Sequence, residues 1–186
     1  MGRASQAQAE ENRRRVVDTA SRLFREQGTQ VSVADLMKAA GLTHGAFYKQ
    51  FASKEALVDE ATAHAFAELA RRYTEGLERH EGRRDAAQQV LIDTYLSVEH
   101  RDGPADGCPV AALASDIARE TGGREARRVF DEGVADFADF LATDDQDGIV
   151  RLCTLFGALV LSRATNGSPL SEEILAAAHA ALTEAD

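Results

Sequence analysis

The sequence predicts an all-α protein, and three observations carry that expectation. Apolar residues recur at i, i+4 and i+7 or i+8 along most of the chain, and no segment of adequate length alternates with period two. Proline is absent before Pro104, and Pro104, Pro109 and Pro169 all fall in breaks that also hold Gly or Ser. Hydroxyl residues stand where successive helices need N-terminal caps. With 44% hydrophobic residues in 186, the chain has the material for a packed core. The pattern divides it into an N-terminal three-helix unit, residues 10–56, and a larger helical bundle, residues 57–186.

The elements follow in order. Val16, Ala20, Leu23 and Phe24 form the first apolar stripe, and Gly28 supplies its stop. Ser32-Val-Ala-Asp35 has the form of a capping box, opening a short helix through Ala40 that Gly41 closes. Thr43 is placed to cap a second short helix ending near Phe51, and Ser53 to cap a much longer one with Glu55 in its first turn. Helices are expected near 54–80, 85–101, 109–119, 123–142, 147–165 and 171–184. Ile149, Leu152, Cys153, Phe156, Leu159 and Val160 make one late stripe, on which Cys153 reads as core, and Ile174, Ala178 and Ala181 make another. Gly157, Ala158 and the alanines of these last two helices allow close packing, either within the bundle or as a self-complementary dimer seam.

The segment "AGLTHGAFYKQF", residues 40–51, carries the functional signal. On a wheel of about 100° per residue, Phe47 and Phe51 share one side and can pack on Leu23, Phe24 and Leu36. Gly45 and Lys49 point the opposite way, Tyr48 lies on the flank, and His44 stands at the tip. A helix anchored by its phenylalanines and free on its other face fits a helix-turn-helix, whose second helix enters the DNA major groove. Lys54, at the start of the next helix, adds an ammonium to unpaired amides that favour a phosphate. The net charge of −10 hides an asymmetry: residues 1–54 hold nine Lys/Arg against five acids, and the rest hold 12 against 26. A local basic face suffices for phosphates, and Arg14 and Arg15, which wheel away from the Val16–Phe24 stripe, belong to it. Arg13, Arg14 and Arg15 are read as lying near the start of the first helix, where cations oppose its dipole.

Residues 12–58, "NRRRVVDTASRLFREQG…VSVADLMKAAGLTHGAFYKQFASKEALV", resemble the DNA-binding domain of the TetR family of transcriptional regulators. The resemblance rests on the "LF…G" end of the first helix, the "AGL" turn, the aromatic-Tyr pair and the "F-x-S-K-E-A-L" segment. It implies a homodimeric regulator, a repressor of a palindromic operator in double-stranded DNA, released when the second domain takes up a small effector. It also implies that Thr43, His44, Gly45, Tyr48 and Lys49 read DNA, and that Ser32 and Lys54 meet phosphates. The chain departs from many members in having Gln50-Phe51 where they carry His-Phe.

In the second domain, "DGPADGCPVAAL" reads as a loop leading into a helix with Cys108 as its cap and Pro109 at its first position. Unpaired amides at that end would lower the thiol pKa and make Cys108 a candidate for sensing an electrophile or oxidant. The Gly-Cys segment also resembles that of some TetR-type regulators, including some that sense electrophiles. Phe66, Tyr95 and Phe137 are candidates to line an effector cavity. His44, His64, His80, His100 and His179 show no metal-type spacing, and Glu60 and His64 lack a third partner, so no metal and no cofactor is expected. The rival reading is a thiol-dependent sensor or enzyme that does not bind DNA, but no nucleophile elbow or nucleotide-binding glycine loop accompanies Cys108. A ligand-free helical scaffold would leave the basic N-terminal third unexplained. The polar N-terminus lacks an apolar signal core and no run is long enough to span a bilayer, so a cytoplasmic protein without a membrane partner is expected.

Overall fold

The apolar stripes become helices packed around two cores that share one long helix. The computed structural model describes residues 2–119 and 124–183, and no strand occurs among them. Helix α1 spans Gly2–Gln27, α2 Val33–Ala39, and a short 3₁₀ helix His44–Lys49. Then come α3 Lys54–Arg79, α4 Arg84–Tyr95, α5 Val98–Asp102, a 3₁₀ turn Pro104–Asp106 and α6 Pro109–Arg119. The chain closes with α7 Arg124–Leu141, α8 Gly148–Ala164 and α9 Pro169–Thr183. The expected boundaries at 123 and 184 lie outside the described residues.

Three expectations are corrected. The helix expected over 85–101 is two, because the Ser97 hydroxyl accepts the His100 amide and opens a new N-terminus there. Helix α1 already begins at Gly2, so Arg13, Arg14 and Arg15 lie in its middle and do not oppose the N-terminal dipole. Cys153 is exposed rather than core. Helix α8 carries apolar residues on more than one face: Leu152, Leu155 and Leu159 are buried together with Arg151 and Ser162, while Ile149, Val150 and Leu161 stay exposed.

The N-terminal core gathers Val16, Ala20, Phe24, Leu36, Met37, Phe47 and Phe51. Leu57, Val58 and Ala61 of α3 complete it, joined by Leu113 and Ile117 of α6 and Ala126 of α7. Further along α3, Phe66 and Leu69 enter the second core with Tyr95, Phe137, Leu155 and Leu159. Helix α3 is therefore a beam common to both. Polar latches add to it. The buried Arg25 guanidinium donates to the carbonyls of Ser21 and Gly107, at 3.2 and 3.3 Å, and to Glu68 of α3 at 3.0 Å. The Thr29 amide donates to Asp116 of α6 at 2.6 Å. No helix among the described residues is long and apolar enough to cross a membrane.

At the α7–α8 corner the two backbones nearly touch. A Cβ on Gly148 would lie 1.9 Å from the Ala138 carbonyl oxygen, and a main-chain atom cannot rotate away. Gly148→Ala should therefore destabilise the fold by about 3 kcal/mol, the upper part of the range for overpacking. Urea unfolding is the measurement, and wild-type stability would contradict the corner geometry.

Candidate nucleic-acid interface and ligand cavity

Helix α2 ends in a tight reversal. Gly41 takes φ +70°, its amide donates to the Lys38 carbonyl at 3.0 Å, and the Leu42 amide donates to Met37 at 2.8 Å. This is the Schellman arrangement, which only a residue at ease with positive φ closes cheaply. Ser32 caps the front of α2, its Oγ accepting from the Asp35 amide at 3.1 Å and donating to the Asp35 carboxylate at 2.6 Å. The Ser32 cap read from the sequence is thus present, with the Asp35 carboxylate turned to the Ser32 hydroxyl rather than to its backbone amide, and Ser32 remains exposed at the start of α2.

The element after the turn is a 3₁₀ helix, where an α-helix was expected. Its exit relaxes: the Phe47 carbonyl accepts from both Gln50 and Phe51 amides, at 2.8 and 2.9 Å. That shared acceptor brings Phe51 back over Phe47, their rings nearly parallel at 5.4 Å, and buries both. Thr43 stands at the N-cap in extended conformation, but its side chain makes no capping bond, contrary to the expected role. Thr43, His44, Gly45, Tyr48 and Lys49 are all exposed, Tyr48 at 66%. The Tyr48 ring meets Phe47 edge-on at 5.2 Å and His44 at 5.8 Å, so it is steadied from below while facing outward. Around Gly45, a Cβ would find nothing within 4 Å, so the surface there is open.

The flanking cations divide. Lys54 is the first residue of α3, whose N-terminus Ser53 caps through the Ala56 amide at 3.2 Å. Arg14 and Arg15 are exposed and touch only their own helix, Arg14 at Glu11 and Arg15 at Asn12 (2.6 Å). Arg13 turns the other way: it pairs with Glu60, donates to the Gln50 carbonyl and covers the Phe51 ring at 4.3 Å. It fixes the exit of the 3₁₀ helix, a role not anticipated from the sequence. The signal was present, since Arg13 lies three residues before Val16 on the buried face of α1.

In the second core, a cavity of 270 Å³ is lined by Leu69, Tyr73, Leu91, Tyr95, Cys108 and Phe137, with Arg72 and His100 among its polar groups. Three of the four residues proposed for effector sensing come together here. Phe66 does not: it packs edge-on against Phe130 at 5.5 Å, over Gly133, whose Cβ would strike its ring.

The expected lowering of the Cys108 pKa is corrected. Cys108 is buried, and burial pushes its pKa up despite the amides of Val110 and Ala111 and the Tyr95 hydroxyl. Helix-end amides do not outweigh desolvation. Tyr95 is likewise held well above its ordinary value by burial, and its hydroxyl lacks a hydrogen bond of ordinary geometry. His100, also unanticipated, takes the Cys108 amide on Nε2 at 3.2 Å, which leaves Nδ1 to donate to the Tyr95 carbonyl at 2.7 Å. Burial lowers its pKa, Arg163 and Arg72 add to that, and the Tyr95 carbonyl opposes it. This histidine positions the Cys108 backbone; it does not activate the sulfur.

Comparison with known proteins bears on the N-terminal segment and on the fold. Residues 16–61 match the family described as bacterial regulatory proteins, tetR family. The HTH-type transcriptional regulator AcrR of Shigella flexneri is 41% identical over 61 residues, 32% of this chain and 28% of that protein. The match thus spans less than a third of that relative's length. Across the fold, the reduced form of NemR from E. coli superposes with TM-score 0.75 at 22% identity, covering 93% of this chain and 95% of that one. A TetR-family regulator from Cytophaga hutchinsonii gives TM-score 0.73 at 17% identity, covering 94% of each chain.

Two outcomes follow from the cavity chemistry. Iodoacetamide at neutral pH should modify Cys108 far more slowly in the native chain than in urea; equal rates by mass spectrometry would contradict its burial. His100, neutral when folded, gains a proton more readily on unfolding. Its contribution to stability is therefore present above the unfolded value of 6.5 and declines as pH falls from there through the lower folded value. A His100→Gln variant should lose that part of the acid dependence in urea titrations at several pH values, whereas an unchanged slope would count against it.

Proposed function

We propose that the chain is a regulator of the TetR type, whose family model matches residues 16–61, with a division of labour in which residues 10–56 read a palindromic operator and residues 57–186 dimerise and bind the effector. The protein is a DNA-binding transcriptional regulator rather than an enzyme, and repression is the family's typical mode. The observation that carries the residue assignment is the exposed row Thr43, His44, Gly45, Tyr48 and Lys49 set on two buried phenylalanines. Such a row suits the major groove, with His44 and Tyr48 at base edges and Lys49 near the backbone. Ser32, Lys54, Arg14 and Arg15 flank it as phosphate contacts.

A second copy of the chain is the partner that the outer faces of α8 and α9 fit. Ile149, Val150, Leu161 and Leu170 are exposed there, and Gly157 has open space where a Cβ would stand. The effector occupies the 270 Å³ cavity. An apolar void of about 150 Å³ accepts a benzene-sized ring, so a neutral compound of one or two rings fits this volume. Between reversible binding and thiol modification, the protonated and buried Cys108 favours binding. Ligand in contact with Leu69 and Tyr73 presses on α3, the beam that also carries Leu57 and Val58 under the DNA-reading unit. Coupling of the ordinary size, about 1–3 kcal/mol, requires only that the ligand favour one setting of that beam.

Fluorescence anisotropy with genomic operator fragments tests the assignment. Tyr48→Ala combined with Lys49→Ala should weaken specific binding at least tenfold, about 1.4 kcal/mol, and undiminished affinity would refute it. Lys54→Ala should weaken binding to all sequences alike and make the logarithmic salt dependence shallower by about one.

A further inference from the structure

His64, read from the sequence as lacking a third partner, lies at the joint between the two units. Glu60, the acid one turn before His64, is taken by Arg13. His64 instead faces Asp18 of α1 and Glu68 of its own helix α3. Its Nε2 stands 3.5 Å from Asp18 Oδ1 and 3.7 Å from Glu68 Oε1, too far from either for a hydrogen bond. That nitrogen is nonetheless shielded from solvent and has no hydrogen-bond partner. A covered ring nitrogen aimed between two carboxylates without bonding to either is the arrangement a bound cation would complete.

From this geometry we infer that Asp18, His64 and Glu68 form a binding site for a divalent transition-metal ion, Zn²⁺ or a chemically similar ion, bridging α1 and α3. The three ligand atoms lie within 4.8 Å of one another. A tetrahedral ion with bonds of about 2.0–2.1 Å places its ligand atoms about 3.3–3.4 Å apart, so the two distances to Nε2 need only small adjustment. His64 and Glu68 are separated by four residues, the spacing that sets two ligands on one face of a helix. Imidazole together with carboxylates suits zinc and its neighbours and disfavours calcium or magnesium, which take oxygen alone. An outer layer is already in place. Arg25, buried and tied to the Ser21 and Gly107 carbonyls, holds Glu68 Oε2 at 3.0 Å and so leaves Oε1 turned toward His64. Asp18 remains half exposed and gives access from solvent. Because Asp18 sits on the helix that supports the 3₁₀ helix and the other two ligands sit on the shared beam, the ion fixes the angle between α1 and α3. It thereby adjusts operator affinity, and this second consequence rests on the regulator reading above.

The test uses the full chain, freed of metal by a chelator and titrated with Co²⁺ as a visible reporter and Zn²⁺ as competitor. One equivalent of Co²⁺ per chain should produce the ligand-field absorption of a low-coordinate site, bleached by Zn²⁺. His64→Gln and Asp18→Asn should each weaken binding at least tenfold. His179→Gln, which alters the separate surface pair with Asp93, should leave it unchanged, as should Cys153→Ser. Circular dichroism confirms that each variant is folded. Absence of saturable binding, or equal binding by folded His64→Gln, overturns the site. Operator affinity should shift at least fivefold with Zn²⁺ in the wild type and not in His64→Gln; no shift in a chain that binds the ion overturns the coupling. Operator binding by the metal-free chain is measured alongside, so a failure of the DNA reading shows itself apart from a failure of the metal site.

Discussion

The burial of Phe47 and Phe51 is the contact on which the exposed face of the 3₁₀ helix, proposed above to read DNA, depends. Six residues of 3₁₀ helix cannot sustain themselves in water, since nucleating a helix costs more than so few bonds return. The two rings supply what is missing: each full burial of such a side chain is worth about 1.5–3 kcal/mol. Arg13 closes the arrangement from α1 by lying over Phe51 and bonding the Gln50 carbonyl. With the inner side so fixed, Tyr48 rests edge-on against Phe47 and His44, and all of His44, Tyr48 and Lys49 remain exposed.

A rigid reading surface becomes a regulated one only if something else sets its position. Here α1 is tied to the remainder of the molecule by Arg25 to Glu68 and to the Gly107 carbonyl, and by the chain just after α1 to Asp116. Buried ion pairs such as Arg25–Glu68 contribute little net stability, because desolvation offsets their attraction, yet breaking one is costly. They act as constraints on geometry. Arg25 and Gly107 also connect α1 directly to the loop before Cys108, and Cys108 lines the cavity. The cavity is thus two short contacts from the N-terminal unit, by way of that loop and by way of α3.

Charge in the cavity is confined to guanidiniums such as Arg72 and Arg79, while the titratable groups of its inner wall are kept uncharged. Burial holds the Cys108 thiol and the Tyr95 phenol in their protonated forms and His100 in its neutral form. All three shifts have the same cause, removal of water from a largely apolar space, and each disfavours charge. A neutral ligand meets no such penalty there, whereas a thiolate would have to form against it.

The sequence by itself determined the all-helical class, most helix limits, the Schellman turn at Gly41, the caps at Ser32 and Ser53, and the exposed row from Thr43 to Lys49. These depend on neighbours within a turn or two, and local pattern specifies them. What it could not settle were quantities set by distant segments. The 3₁₀ winding of residues 44–49 accompanies the fit of two phenylalanines into the N-terminal core; the raised Cys108 pKa reflects its burial in the second core. Exposure of Cys153 depends on which face of α8, a helix with apolar residues on several sides, meets the bundle. The company kept by His64 follows from α1 crossing α3, which places Asp18 beside a residue 46 positions later. Desolvation and cross-chain proximity are properties of packing, and only the tertiary structure decides them.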